Sequence, residues 1–120
     1  MDLPVEARVW NRAAVESGGA SPREGDRALA ALLLAHGLVM NGGVHHALEG
    51  LSSDELRAAV AGFDYFSLAS VGRLLEVAQT LDEDEANRQY WEVIPDDDAI
   101  DRRFRVVFQS SPHVFAPLAG

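Results

Sequence analysis

The sequence predicts an all-α single domain, a bundle of about six or seven helices around a buried central helix. Three observations lead there. Residues 28–40, ALAALLLAHGLVM, are aliphatic apart from His36 and Gly37. On both sides of that run, apolar residues recur at helical spacing behind sequence signals for helix starts. No run alternates apolar and polar residues as a half-buried strand does.

A helix that is apolar on every side has no solvent face, so residues 28–40 belong in the middle of the domain. At 1.5 Å per residue they span about 20 Å, too short for a bilayer core of about 30 Å. Upstream, Leu3 to Glu16 reads as a first helix, with Pro4 in its first turn, Val5 and Val9 on one face and Trp10 beside them. Ser17-Gly18-Gly19-Ala20 is a loop. Ser21-Pro22-Arg23-Glu24 has the form of a capping box, which starts the central helix near Pro22 and leaves Arg23, Glu24, Asp26 and Arg27 exposed. The helix should stop near Met40, because Asn41-Gly42-Gly43 accepts the left-handed backbone of a C-terminal cap.

A short helix over Val44 to Glu49 comes next. Ser52 to Glu55 is a second capping box, opening a helix with Leu56, Ala59, Val60 and Phe63 on one face. Ser67 is placed to cap a helix that carries Leu68, Val71, Leu74, Leu75 and Ala78 and runs to about Leu81. Asp82 to Glu85 start a helix bearing Tyr90 and Trp91, which Pro95 ends. Asp96 to Asp98 open the last long helix, with Ile100, Phe104, Val107 and Phe108 as its stripe. On its outer face Asp98–Arg102 and Asp101–Arg105 are acid-before-base i, i+4 pairs. Ser111-Pro112 stops it, and Val114 and Phe115 fold back over the core. The expected core is Leu29, Leu32, Leu33, Leu38, Leu56, Val60, Phe63, Leu74, Leu75, Phe104 and Phe108.

Composition narrows the function classes. The 120 residues fit one domain and bury enough surface to need neither disulfide nor structural metal. With no cysteine, thiol catalysis and cysteine zinc sites are excluded. All ten basic residues are arginines, which removes Schiff-base and P-loop lysine chemistry. The N-terminal stretch has neither a basic nor an apolar leader region, so a cytoplasmic location is expected, with no membrane association. A net charge of −9 argues against direct nucleic-acid binding, since a phosphate backbone demands the opposite sign.

That charge is concentrated. Glu76, Asp82, Glu83, Asp84, Glu85, Glu92, Asp96, Asp97, Asp98 and Asp101 stand against Arg88 alone, which gives −9 for residues 76–101 and zero for the rest. Carboxylates at helix N-termini gain from capping and the macrodipole, and this explains part of the pattern. It does not require so many acids with one counter-charge, and a partner with a basic surface is the functional reading. His45, His46 and Glu49, with His36 upstream, are ligand types, but no H-E-x-x-H spacing fixes a third ligand, and a packed or surface pair is the plain reading. No motif orders a nucleophile. The expectation is a protein that is not an enzyme and holds no metal or cofactor. In Asn41-Gly42-Gly43 one glycine suffices for a cap, so the second implies close backbone approach or a cap for the next helix.

The buried helix, Asn41-Gly42-Gly43 and the short helix after it resemble a small all-α bacterial domain of largely unknown function. Its hallmark is an N-G-G-F-x-Q-like motif, and its best-known member is a DNA-mimic protein. Gln89-Tyr90-Trp91, the acidic turn from Pro95 to Asp98, and Ser111-Pro112-His113-Val114-Phe115, similar to a terminal H-P-x-x-F, agree with it. The resemblance covers about Asp26 to Phe115, with Val44 and His46 standing where the motif has its aromatic and its glutamine. It implies the same fold, no enzymatic reaction, and an acidic surface over residues 76–101 that binds a basic protein. In the mimicry reading that surface occupies the partner's DNA-binding face. In the alternative, an intracellular adaptor or immunity-type protein binds without imitating DNA. Both leave homo-oligomerisation open.

Overall fold

The computed structural model describes residues 3–118. Seven α-helices follow one another: α1 (Val5–Glu16), α2 (Glu24–Gly42), α3 (Val44–Gly50), α4 (Ser53–Tyr65), α5 (Ala69–Val77), α6 (Glu83–Val93) and α7 (Asp97–Ser110). Single 3-10 turns cover Ala78–Thr80 and Pro112–Val114. No strand occurs among the described residues. The all-α bundle is the fold the periodicities predict.

The central helix is α2, against which α1, α3 and α4 pack, while α6 lies on α3 and α5. Leu29, Leu32, Ala35 and Val39 form its buried face. The expectation of burial on every side fails, because Leu34 is 45 % and Met40 is 55 % exposed. Nothing approaches Gly37 within 4 Å of where a Cβ would stand. Its neighbours leave one strip of this nineteen-residue helix uncovered, and a cavity of about 460 Å³ opens there between α1 and α2, lined in part by Ala30, Leu33 and Leu34. Leu33 and Leu38 are half-buried beside that strip, as are Leu56, Val60 and Phe108 elsewhere, so these five sit at the margin of the core and not in it. Leu33→Ala should therefore cost less than the roughly 2 kcal/mol at which fully buried leucine deletions begin, and less than Leu32→Ala. Urea unfolding of the two variants side by side checks the order.

The start of α2 also differs from the capping box expected at Ser21. Arg23 is the N-cap, and the Arg23 N–H donates to Asp26 Oδ2 at 2.9 Å. Asp26 is fully buried, not exposed. It accepts from Arg12 Nη2 at 2.8 Å and from the Ala116 N–H at 2.7 Å. Of two acids that could take the third helical position, Asp26 has a guanidinium and a second amide to hold it, and the helix begins accordingly. Arg12 also donates to the Ala116 carbonyl. One carboxylate thus ties α1, α2 and the C-terminal segment together.

Elsewhere local chemistry and fold agree. The Ser52–Glu55 capping box forms in both directions, at 2.9 and 3.1 Å. Ser67, however, adopts φ +62°, and Leu68 is the N-cap of α5. The left-handed residue turns the chain between α4 and α5, which removes Ser67 from the cap position. The helix expected to run to Leu81 is α5 followed by the 3-10 turn. In α7 the Asp101–Arg105 pair forms at 2.8 Å. The Asp98–Arg102 pair does not: Asp98 lies in the first turn, where the macrodipole already favours its charge, and an exposed pair gains little against side-chain entropy.

The C-terminal end closes on aromatic rings. Phe104 of α7 is fully buried and meets Trp10 of α1 at 5.8 Å, Phe66 at 6.5 Å and Phe115 at 5.4 Å, each edge to face. Trp10 packs, and Val114 and Phe115 cover the core as expected.

Candidate functional site

The acidic segment folds into the end of α5, all of α6, the turn after it and the start of α7. Glu76, Asp82, Glu83, Asp84, Glu92, Asp96, Asp97 and Asp98 are exposed, and Glu85 and Asp101 are half-exposed. They do not all do the same work. Asp82 is the N-cap of α6, accepting from the Asp84 and Glu85 N–H groups at 3.2 Å each. Asp96 caps α7 through the Ala99 N–H at 3.2 Å.

Arg88 sits between Glu85 and Glu92, three residues after one and four before the other, and pairs with both. These hydrogen bonds, with a further one from Gln89, hold the Glu85 carboxyl down to about 2. Glu85 therefore keeps its charge to strongly acid pH. Asp101 is paired with Arg105, whose guanidinium is pushed up by that contact. The carboxylates of Glu76, Glu83, Asp84 and Asp98 have no hydrogen-bonded or ionic partner among the described residues. Two of these four stand in the first turn of α6 and one in the first turn of α7.

Asp97 is a different case. Its side chain is 67 % exposed, yet Oδ1 lies 2.8 Å from Nε2 of His36, which is 4 % exposed in α2. The other ring nitrogen, Nδ1, is 2.7 Å from the Tyr90 hydroxyl. In the neutral ring one nitrogen donates and the other accepts. An Nε2–H donating to the carboxylate and a phenol donating to Nδ1 satisfy all three groups. Asp, His and hydroxyl stand in the order that activates a nucleophile in hydrolases. The environment runs the other way: burial, and then the charge of Asp97, push the Tyr90 phenol well above its ordinary value. Tyr90 is fully buried. The triad is a brace between core and surface.

The remaining candidates do not converge: Glu49 is exposed and only His45 is engaged with a neighbour among the described residues. His45 Nε2 is 3.0 Å from the Ala78 carbonyl, which joins α3 to the 3-10 turn after α5. His46 is exposed. Among the described residues, no three histidine, aspartate or glutamate side chains gather as a metal ion requires. In Asn41-Gly42-Gly43 the first two residues continue α2, and the stop comes at Gly43, with φ +93° and its N–H on the Val39 carbonyl at 2.7 Å. Gly43 has positive φ and also lies against Asn87 of α6, whose Oδ1 accepts the Val44 N–H at 2.8 Å. The motif is a docking point for α6, the helix that carries the acids.

With that geometry in place, the sequence profile of the DMP19-like protein family matches residues 21–115. The chain belongs to the DMP19-like protein family. No curated protein and no solved structure matches it. The family match contains α2 to α7, and with them Gly43, Asn87, His36, Tyr90 and every carboxylate of the acidic segment. Two roles at this site are not legible in the sequence. Tyr90 is legible as part of a helix and of the Gln89-Tyr90-Trp91 resemblance but not as the partner of His36, and Asn87 belongs to no sequence pattern. The usable signal for Asn87 was an uncharged polar residue one helical turn before Tyr90, on a helix otherwise rich in charge.

Proposed function

We propose that this chain is an acidic protein-binding module without enzymatic activity, working in the cytoplasm. Its α5–α7 carboxylates occupy the DNA-binding face of a basic partner. One observation carries the reading: the whole net charge lies in one folded segment, with unpaired carboxylates at the N-termini of two consecutive helices. The resemblance to a family whose best-known member is a DNA mimic supports it. No helix among the described residues is long and apolar enough to cross a membrane.

Duplex DNA carries about one charge per 1.7 Å, so nine net charges equal roughly 15 Å of duplex. That is less than half of a helical turn of about 34 Å. The molecule is 47 Å long and 25 Å across, longer than the stretch of phosphates its net charge can match. The partner this fits is a single basic DNA-reading element, not a surface that wraps DNA. The pairing of Arg88 with Glu85 and Glu92 favours the second reading, an adaptor or immunity-type protein that binds a basic partner without mimicry, because it offsets one of the two charges in the middle of α6.

A panel of basic DNA-binding proteins tests both readings. Binding should weaken steeply with salt, and duplex DNA should compete for the same face. Replacing Asp84, Asp97 and Asp98 together with asparagine removes three charges while sparing the caps at Asp82 and Asp96. Equal affinity of that variant and the parent at low salt removes the acidic segment as the interface. Salt-sensitive binding without competition by DNA favours the adaptor. Arg88→Ala makes a converse prediction: it frees Glu85 and Glu92, adds one net negative charge, and should tighten capture of a basic partner at low salt.

A further inference from the structure

Among the carboxylates that no cation pairs, Asp97 alone is fixed from the core. We propose that His36 is the positioning residue of the acidic surface, holding Asp97 and the α6–α7 corner as the anchor for one cationic group of the partner. This rests on the functional reading above and adds to it which carboxylate is presented ready-made, and to what kind of group.

The geometry supports a rigid chain of contacts. His36 projects from the middle of α2, against which α1, α3 and α4 pack, and is itself buried. Tyr90 of α6 sets its ring through Nδ1, stacked at 6.0 Å between centroids, and Asp97 of α7 takes Nε2. Two acidic helices are thereby tied to one side chain across the corner at Pro95. The other elements on α2 do not compete for His36: Arg12 of α1 is bound to Asp26, His45 of α3 to the Ala78 carbonyl, and Tyr65 of α4 faces Glu24 near the opposite end of α2. No charged residue lies on α2 between Arg27 and Gly42.

Preorganisation decides which contacts count. Ordering a mobile side chain on binding weakens affinity, and Asp97 has met that cost in the free protein. Its chemistry also selects the partner group. Oδ1 is engaged by His36, and Oδ2 has no partner among the described residues. An arginine fork has to share Oδ1 with the imidazole, as Arg88 shares Oε1 of Glu85 with Gln89. A single-point donor, the ammonium of a lysine, needs only Oδ2.

Two substitutions separate the nitrogens. His36→Gln places an amide nitrogen near the Nε2 position and keeps a donor for Asp97. His36→Asn places its amide near Nδ1, keeps the Tyr90 contact and falls short of Asp97. The readouts are backbone amide order over residues 96–99 in the free protein and affinity for an unstructured lysine-rich peptide at low salt, with circular dichroism and thermal unfolding as controls. Order and affinity should persist in His36→Gln, while His36→Asn should lose order at the corner and bind about twofold to tenfold more weakly, because the ordering of Asp97 then falls on binding. Equal behaviour of the two folded variants, whether both keep or both lose order, overturns the positioning role. If either variant fails to fold, Asp97→Ala, which removes the same contact from the exposed side, serves in its place, and unchanged order at 96–99 overturns the role. Failure of the parent to bind the peptide while the order difference stands counts against the functional reading and leaves His36 as the brace.

Discussion

Asp26→Ala should destabilise the protein by about 3–5 kcal/mol, the usual cost of removing one member of a buried ion pair. Three donors converge on that carboxylate: Arg12 Nη2, the Arg23 N–H and the Ala116 N–H. Deleting it leaves a guanidinium whose side chain is only 13 % exposed without its counter-charge and strands two backbone amides. Arg12 Nε already has no acceptor among the described residues, so the site has no spare hydrogen bond to offer. The C-terminal segment is the part most affected, because Ala116 is held through Asp26 and Arg12 together. Urea unfolding measures the loss, and protease sensitivity after Phe115 should rise with it. Arg12→Met combined with Asp26→Leu should be less destabilised than Asp26→Ala alone, since no charge is then left uncompensated. A loss below about 1 kcal/mol for Asp26→Ala would mean that the carboxylate contributes no more than an ordinary neutral hydrogen bond.

How far the sequence reads into this fold depends on how far apart the interacting residues are. The Ser52–Glu55 box, the caps at Asp82 and Asp96 and the stop before Pro112 are complete within four residues, and each is where the local pattern puts it. Helical periodicity likewise finds the faces of α4, α5 and α7, because one face of a surface helix is a local property. Asp26 could not be read this way. Its partners Arg12 and Ala116 are 14 and 90 positions away, and a charged residue in the first turn of a helix reads as exposed unless its partner is known. His36 looked like an interruption in an aliphatic run for the same reason, with Tyr90 and Asp97 lying 54 and 61 positions downstream. The error over Leu34 and Met40 is of another kind. Periodicity reports which residues are apolar, not whether enough neighbours exist to cover them.

The acidic site was legible as charge and not as arrangement. Counting carboxylates locates the segment, but only the fold separates Asp82 and Asp96, committed to caps, from Glu85 and Glu92, committed to Arg88, and from Asp97, committed to His36. Nor does the sequence say that the glycine motif bears on that site. It does so at one remove, because Gly43 and Val44 seat Asn87 and thereby set α6 against α3.

Close backbone approach, which the paired glycines suggested, is found elsewhere, at Gly62. Gly62→Ala should cost about 2–3 kcal/mol despite the roughly 1 kcal/mol that alanine gains over glycine inside a helix. A Cβ at that position would lie 2.5 Å from the Ala28 carbonyl oxygen, with the Leu32 backbone nitrogen at 3.4 Å. Those neighbours are main chain, so no side-chain rotation relieves the contact. Either α4 moves off α2 along its length or α2 bends at Ala28, and both loosen Phe63 and Leu32, which are fully buried. At the usual scaling for a domain of this size, the melting temperature should fall by roughly 10 °C. The consequence reaches the acidic surface through α2, because His36 lies two turns beyond Ala28 on the same helix. If α2 shifts as a unit, the order of residues 96–99 should change together with the stability. Gly37→Ala supplies the internal control: the same substitution on the uncovered strip of α2 meets open space, and it should stabilise the protein through helix propensity alone. Thermal unfolding of the pair decides the matter. Should Gly62→Ala melt at or above the parent, the two helices have room to separate, and α2–α4 packing is not the close contact that fixes the bundle.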